Sequence, residues 1–469
     1  MALVPAFTAS AHAGTIESRT SCDGVHGSCT TIVAYKAAPG EANDISVTAA
    51  GQGVEVRDAG APITAGTHCA QRGDHEVACD SGPEGFGFVS IDTGDGDDHV
   101  AGTVHGDVLL GAGDDTLEGA GVDGGVSGGP GDDMILHGTR AYSRWEGDEG
   151  NDTMSATGRS VQLYGGPGAD DLEGGDGDDV LDGGPGADTV RGGPGNDVLA
   201  GDDRFEFGAV LGAPAADQLD GGAGSDFASY SGRTEPVNVD LLDPGPDGGA
   251  GEADRLISIE EVGGGAGADV LTGDGGANEL EGGAGDDTIS GRGGADVIGG
   301  GDGFDRLSGG AGSDAIAPGS GERQDAQQES VDCGEGTDVV DSPHLDVAEP
   351  SCELVAFRTN LGYDARFSLL PLSAGPRAAT FAVPCPASLR VHRRCSGTLA
   401  IEADGVRQRQ GFDVSKAGGS VTVMRPGDAT RVLLTLRYGK QYPVGTDVYI
   451  DLPGADAAAP PLVMAPSRG

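Results

Sequence analysis

Aromatic side chains are scarce, at 4% of the chain, and there is a single tryptophan. A large conventional core is therefore excluded over most of the length. Basic residues are also few, 28 against 76 acidic ones, for a formal net charge of −48. So acidic a polymer is not drawn to nucleic acid or to an anionic membrane surface. It either stays expanded or collects cations. No run of about 18 apolar residues occurs, so no transmembrane span is expected. Cys-x-x-Cys is absent, and the cysteine spacings do not match a zinc site.

What is abundant is glycine, 88 of 469 residues. The charge is also uneven. Residues 353–469 carry 14 basic and 9 acidic side chains, whereas residues 1–352 carry 14 and 67. The last quarter is thus a different kind of polymer. The eight cysteines form four close pairs, Cys22/Cys29, Cys69/Cys79, Cys333/Cys352 and Cys385/Cys395. Even number and local pairing point to disulfides and an oxidising compartment. Residues 1–13 read as a truncated signal peptide, apolar from Met1 to Phe7, with Ala11-His12-Ala13 as a cleavage pattern ahead of Gly14.

A nine-residue period runs through the middle of the chain. Gly165-Gly166-Pro167-Gly168-Ala169-Asp170-Asp171-Leu172-Glu173 is followed without a gap by three further units, from Gly174, Gly183 and Gly192. A second block of six units runs from Gly264 to Ala317. Looser copies lie at 94–101, 110–118, 128–136, 147–155, 213–229 and 333–341. Good copies read G-G-x-G-x-D-x-U-x with U aliphatic, and repetition of this kind decides the fold. The x-U-x triplet is a short strand whose middle residue points inward. Leu172, Leu181, Val190, Leu199, Leu271, Leu280, Ile289, Ile298, Leu307 and Ile316 are the expected aliphatic columns. A disordered Gly/Asp linker has no need for aliphatics locked in phase.

One unit gives one turn and one strand, so two units complete a coil, and units i and i+2 stack about 4.8 Å apart. Asp170 then sits over Asp188, and Asp179 over Asp197. Asp269, Asp287 and Asp305 form one column, and Asn278, Asp296 and Asp314 the opposite one. Like charges so placed repel by a few kcal/mol at an effective dielectric of about 20. A hard cation that takes six to eight oxygens would separate them, with turn carbonyls completing the set. The candidate metal ligands are the sixth-position residues: Asp98, Asp115, Asp133, Asp152, Asp170, Asp179, Asp188, Asp197, Asp217, Asp226, Asp269, Asn278, Asp287, Asp296, Asp305, Asp314 and Asp338. Fifth-position acids such as Asp178 and Asp286 are expected to be solvated. A buried aliphatic contributes about 1.5–3 kcal/mol. One per nine residues does not offset backbone ordering of about 1–2 kcal/mol per residue. Metal binding must supply the difference, so folding and binding are coupled.

These blocks resemble the haemolysin-type, or RTX, calcium-binding nonapeptide repeat of secreted proteins, over about 94–341 with gaps. The resemblance implies an all-β fold, a parallel β-roll with several Ca2+ ions between successive turns, and secretion. The run Ala38-Pro39-Gly40-Glu41-Ala42-Asn43-Asp44 is similar to N-terminal segments of secreted actinobacterial proteins with such repeats. Departures are Asn278 in place of Asp, which should weaken its site, and Ala228 in place of the aliphatic. Residues 156–164 have neither the glycines nor the Asp, so a coil without a good ion site is expected there.

The flanks complete an expected order of segments. Residues 14–92 form an N-terminal β cap, with strands at Thr31–Tyr35, Ile45–Thr48 and Val54–Arg57. Roll blocks follow at 93–229 and 264–317, separated by a β insertion at 230–263 that carries a loop out of the roll. Residues 318–352 form a terminal coil with a disulfide, 353–463 a β-sandwich-like domain, and 464–469 a disordered tail.

Catalytic patterns are weak by comparison. His75-Glu76 opens like H-E-x-x-H, but Cys79 stands where the second His is needed. Gly125-Val126-Ser127-Gly128-Gly129 fits G-x-S-x-G without the strand–turn–helix context. Arg72-Gly73-Asp74 has the form of an adhesion tripeptide, at the specificity of three residues. The paired acids Asp178/Asp179 and Asp286/Asp287 suit metal ligation or solvated turns better than acid–base work. The reading is an extracellular, non-enzymatic calcium-binding scaffold or surface protein. Its C-terminal domain would contact cell wall, glycan or another protein. The competing class is a secreted hydrolase or toxin-like protein using the roll as a folding and export module. It needs a catalytic domain, and neither flank offers a nucleophile–base pair.

Overall fold

Strands of two to seven residues occupy the nonapeptide phase, too short to persist without neighbours on both sides. The computed structural model describes residues 13–22, 29–50, 53–80, 88–119, 124–136, 143–157, 160–202, 215–243, 245–319, 329–336, 338–341, 346–348, 352, 354–359, 362–368, 373–374, 378–383, 394–403, 406–415, 419–424, 431–438 and 444–451. Among them there is no helix, and none long and apolar enough to cross a membrane. The chain divides into two units, Met1–Gly232 with Gly251–Ile259, and Arg233–Ala250 with Glu260–Gly469.

The first unit opens with antiparallel pairs. Gly14–Cys22 pairs with Cys29–Lys36, and Asp44–Ala50 with Gly53–Asp58. The pattern then turns parallel. Cys29–Lys36 lies beside Phe88–Asp92, and Asp44–Ala50 beside His99–Gly102. Each of these strands seeds one ladder of a two-sided parallel roll. One ladder stacks Val100, Leu117, Ile135, Met154, Leu172, Val190, Leu219 and Leu256 in register. The other stacks Ile91, Val108, Val126, Trp145, Leu163, Leu181, Leu199 and Ala228. All are at most 3% exposed except the half-buried Leu256.

The second unit repeats the design. Val239, Leu271, Ile289, Leu307 and Val331 form one column. Val262, Leu280, Ile298, Ile316, Val340 and Val355 form the other. In uninterrupted stretches the stacked partners are 18 residues apart, as with Leu181 over Leu199 and Leu271 over Ile289. That is the two-units-per-coil geometry expected from the repeat.

The strands of 230–263 enter the ladders. Arg255–Ile257 continues a ladder of the first unit beside Gln218–Asp220, and Val237–Asp240 lies beside Val270–Thr272 in the second. Both are ladder strands of the rolls, and the chain between them turns back antiparallel, with Val237–Asn238 against Gly248–Gly249. Val239 and Leu256 are in phase with the stacked aliphatics, so pairing there gains ladder hydrogen bonds and burial together.

Beyond the repeats, Arg394–Ala403, Val406–Ser415, Arg431–Tyr438 and Val444–Asp451 form one antiparallel sheet. Ala378–Val383 joins Ser373–Ala374 and Gly419–Met424 in another. Leu399, Ile401 and Val421 are buried. Val444–Asp451 also pairs with Asp346–Ala348, so a roll ladder passes directly into this sheet.

Cys69–Cys79 and Cys333–Cys352 are disulfides. Cys22 and Cys29 face each other in the backbone register of their hairpin. Their side chains, Cys385, the side chain of Cys395, the segment 1–12 and the tail 464–469 lie outside the described residues.

Candidate metal-binding columns

Gly183-Gly184-Pro185-Gly186-Ala187-Asp188 shows how a turn is built. Gly184 has φ of +90° and Gly186 of +153°, values that glycine alone tolerates readily. Gly183 needs no unusual φ. A Cβ on it would instead collide with the carboxylate of its own unit, Oδ2 of Asp188. The first glycine therefore leaves space, and the sixth-position aspartate reaches into it.

The aspartates stack as the sequence spacing implies. In the first unit the backbone N–H of Asp98 donates to Oδ1 of Asp115, and so on through Asp133, Asp152, Asp170, Asp188 and Asp217, at 2.7–2.9 Å. On the opposite edge Asp179 donates to Asp197, and Asp197 to Asp226, both at 2.8 Å. In the second unit Asp269, Asp287 and Asp305 are linked in this way. So are Asn278, Asp296, Asp314 and Asp338. All seventeen side chains named from the sequence are at most 4% exposed. By contrast Asp178 and Asp286 are exposed and only cap backbone N–H groups, of Asn196 and Phe304.

One carboxylate oxygen is thus satisfied per aspartate. The second, Oδ2, is buried without a hydrogen-bond partner in Asp115, Asp133, Asp152, Asp170, Asp179, Asp188, Asp197, Asp217, Asp287, Asp296 and Asp314. Such a row of buried, half-satisfied carboxylates is costly. The cost is visible in acidity. Burial pushes Asp115, Asp152, Asp179, Asp287 and Asp296 up to about 6. It pushes Asp133, Asp188 and Asp197 to about 7, Asp170 to about 8 and Asp217 to about 9. The backbone N–H bond opposes the shift, and neighbouring carboxylates add to it. Desolvation, more than the mutual repulsion anticipated from the spacing, is the leading cause.

The donor set suits a hard cation. The gap beside Gly165 that a Cβ would fill is bounded by Oδ2 of Asp170 and the carbonyl oxygen of Gly183. Beside Gly282 stand Asp287 and the Gly300 carbonyl, and beside Gly291 stand Asp296 and the Gly309 carbonyl. Among the described residues no three His, Cys, Asp or Glu side chains converge on one point. The oxygens that face these gaps belong to carboxylates and backbone carbonyls. That chemistry favours Ca2+ over zinc or copper.

A family model described as the RTX calcium-binding nonapeptide repeat matches residues 146–181, 173–203, 211–228, 263–298 and 290–323. The chain carries RTX calcium-binding repeats. No curated protein matches the chain significantly.

The RTX columns are not symmetric. In the first unit the edge that begins at Asp98 is acidic throughout. The opposite edge has Val89, Gly106, Gly124, Ser143 and Val161 two residues before its buried column, and turns acidic only at Asp179. The coil over 156–164 is present, with buried Val161 donating its N–H to Asp179. In the second unit Asp269 accepts from Val237 and Gly265. The Asn278 amide is turned to Asp274 and Glu260.

Sequence reading missed three column members. Asp254 accepts the N–H of Asp217 at 3.0 Å, and burial pushes it up to about 7. Glu329, 2% exposed, stands two residues before Val331. Asn43 tops the first column, donating to Oδ1 of Asp98 from its N–H and Nδ2, while Ile45 pairs with Val100. The Ala38–Asp44 run is thus a degenerate repeat. Each of the three precedes an aliphatic of the columns by two residues; Glu329 and Asn43 have few glycines around them, whereas Asp254 follows Gly248, Gly249 and Gly251 one residue out of the repeat phase.

The other motifs have ordinary surroundings. His75 donates from Nδ1 to the carbonyls of Asp58 and Ala61. Ser127 donates to Asp148, at 2.7 Å. Arg72, Gly73 and Asp74 lie exposed at a hairpin tip between Cys69–Gly73 and Glu76–Asp80.

Proposed function

We propose that this is an extracellular, non-enzymatic calcium-binding scaffold or surface protein that becomes ordered on binding Ca2+, with the stacked sixth-position aspartates as its ligands. The observation that carries this reading is the row of buried Oδ2 atoms without partners, which at Asp133, Asp152, Asp170, Asp179, Asp197, Asp287, Asp296 and Asp314 stand beside a glycine-made gap and a turn carbonyl. Bound calcium supplies the positive charge that lets these carboxylates remain ionised out of water. The chain's own contribution is to fix one oxygen of each aspartate with a backbone N–H and to present the other. The RTX repeats, the two disulfides and the export-like N-terminal segment support an oxidising, calcium-rich setting. The more basic C-terminal sheets are the candidate surface for cell wall, glycan or a protein partner.

Equilibrium dialysis of the full chain against about millimolar calcium, the affinity range of extracellular modules, tests the reading. Retention of several ions is expected. Replacing Asp287 and Asp305 together with Ala should lower the number retained. Equal retention by the variant refutes the ligand assignment, and no retention by the parent chain refutes the function.

A further inference from the structure

The repeat phase breaks between Ala200 and Gln218. Along the column Asp170 to Asp188 is a step of 18 residues, but Asp188 to Asp217 is a step of 29. Gly201 still holds the first-glycine place. Its carbonyl accepts the N–H of Gly184 at 2.7 Å, just as that of Gly183 accepts from Gly166 at 2.9 Å. The next residue, where the regular units have their second glycine, is Asp202.

Asp202 is 3% exposed. Its Oδ1 accepts the N–H of Gly186 at 3.3 Å, and its Oδ2 that of Ala215 at 2.9 Å. The carboxylate is thereby fixed to the preceding coil and to the residue where the chain rejoins the roll. Asp217 is equally buried, and its Oδ2 has no hydrogen-bond partner. That oxygen is aimed at the space beside Gly201, where a Cβ would collide with it, next to Asp202. Asp202 is also the foremost charge acting on both Asp188 and Asp217. Asp254 stands in the following coil, and the Tyr230 hydroxyl donates to its Oδ2 at 3.1 Å. Asp202 thus adds one buried carboxylate to the three that successive levels of the column carry here, Asp188, Asp217 and Asp254, without any three of them converging on one point.

We propose that this break in the repeat is a calcium site of higher charge than its neighbours, with Asp202 as a ligand from outside the repeat pattern, and that it fills first. The inference rests on the reading of the columns as calcium sites. It adds a ligand that no repeat position supplies and an order of filling. Ligand charge is a main determinant of affinity among calcium sites, so an added carboxylate raises affinity at this level. The break is therefore the place from which ordering spreads along the column.

Calcium titration of the full chain by calorimetry, with Asp202→Asn beside the parent and Asp286→Asn as an exposed control, tests the proposal. The expected result is a tight class of sites in the parent and the control. In Asp202→Asn that class should weaken by about tenfold or more, as ligand charge count predicts, with the weaker class unchanged. A second readout does not depend on that variant folding. Terbium added to the parent should show tyrosine-sensitised emission from its first equivalents, and Tyr230→Phe should remove most of it. An Asp202→Asn isotherm like the parent's, or early terbium emission indifferent to Tyr230→Phe, overturns the proposal while leaving the columns as calcium sites. A parent that binds no calcium overturns both.

Discussion

At the scale of the residue, three glycines in one turn serve different ends. Gly184 and Gly186 supply backbone shapes, whereas Gly183 supplies room for a carboxylate. Gly183→Ala should therefore damage ion binding as well as geometry. We expect it to raise the calcium midpoint of folding by several-fold, measured by circular dichroism. Pro185→Ala keeps the carbonyl that accepts the N–H of Gly168 and should leave the midpoint unchanged. Equal midpoints for Gly183→Ala and the parent would show that the gap is not a ligand cradle. Residues of this type were legible in the sequence where glycines frame them, as at Asp170 or Asp287. Asp254 was not, because Ala253 displaces it by one residue from Gly248, Gly249 and Gly251, and Glu329 and Asn43 were not, because their only signature is an acid or amide two residues ahead of an aliphatic. That pattern is common by chance, and only the stacking register distinguishes it.

At the scale of the element, a strand of three residues owes its existence to the strands on either side. Leu181 is fully buried between Leu163 and Leu199. Leu181→Ala should lower stability in saturating calcium by about 2–5 kcal/mol, read as a reduced melting temperature. A loss well under 1 kcal/mol would argue that the aliphatic columns are not close-packed. Alternation in the sequence marked the strands of 230–263 and of the C-terminal region, but not their partners. A period of two says which face is buried and leaves the neighbour open. Inside the uninterrupted blocks the nine-residue period fixes both, which is why the coils there were legible and the ladder partners of Val237–Asp240 and Arg255–Ile257 were not.

For the whole molecule, the carboxylate columns set the response to pH. Burial raises Asp98, Asp269 and Asp314 as well, and the most shifted members, from Asp115 to Asp217, lie at about 6 to 9, against about 3.9 for an unfolded aspartate. The ion-free fold therefore binds more protons than the unfolded chain across that interval. Its stability is full below about pH 4 and is lost as pH rises towards about 9. Chelated protein should accordingly gain β signal on acidification from about pH 8 to about pH 5, and calcium binding near neutrality should release protons. A chelated protein whose β signal falls over the same acidification would contradict the columns' shifted acidity.

The central claim is that the aspartate columns cannot be both buried and ionised without a cation. Far-ultraviolet circular dichroism of the full chain near neutral pH, in chelator and then through a calcium titration repeated with magnesium, tests it most directly. A coil-to-β transition with calcium at about millimolar or below, and a much weaker response to magnesium, is predicted. A β spectrum already complete in chelator would contradict it.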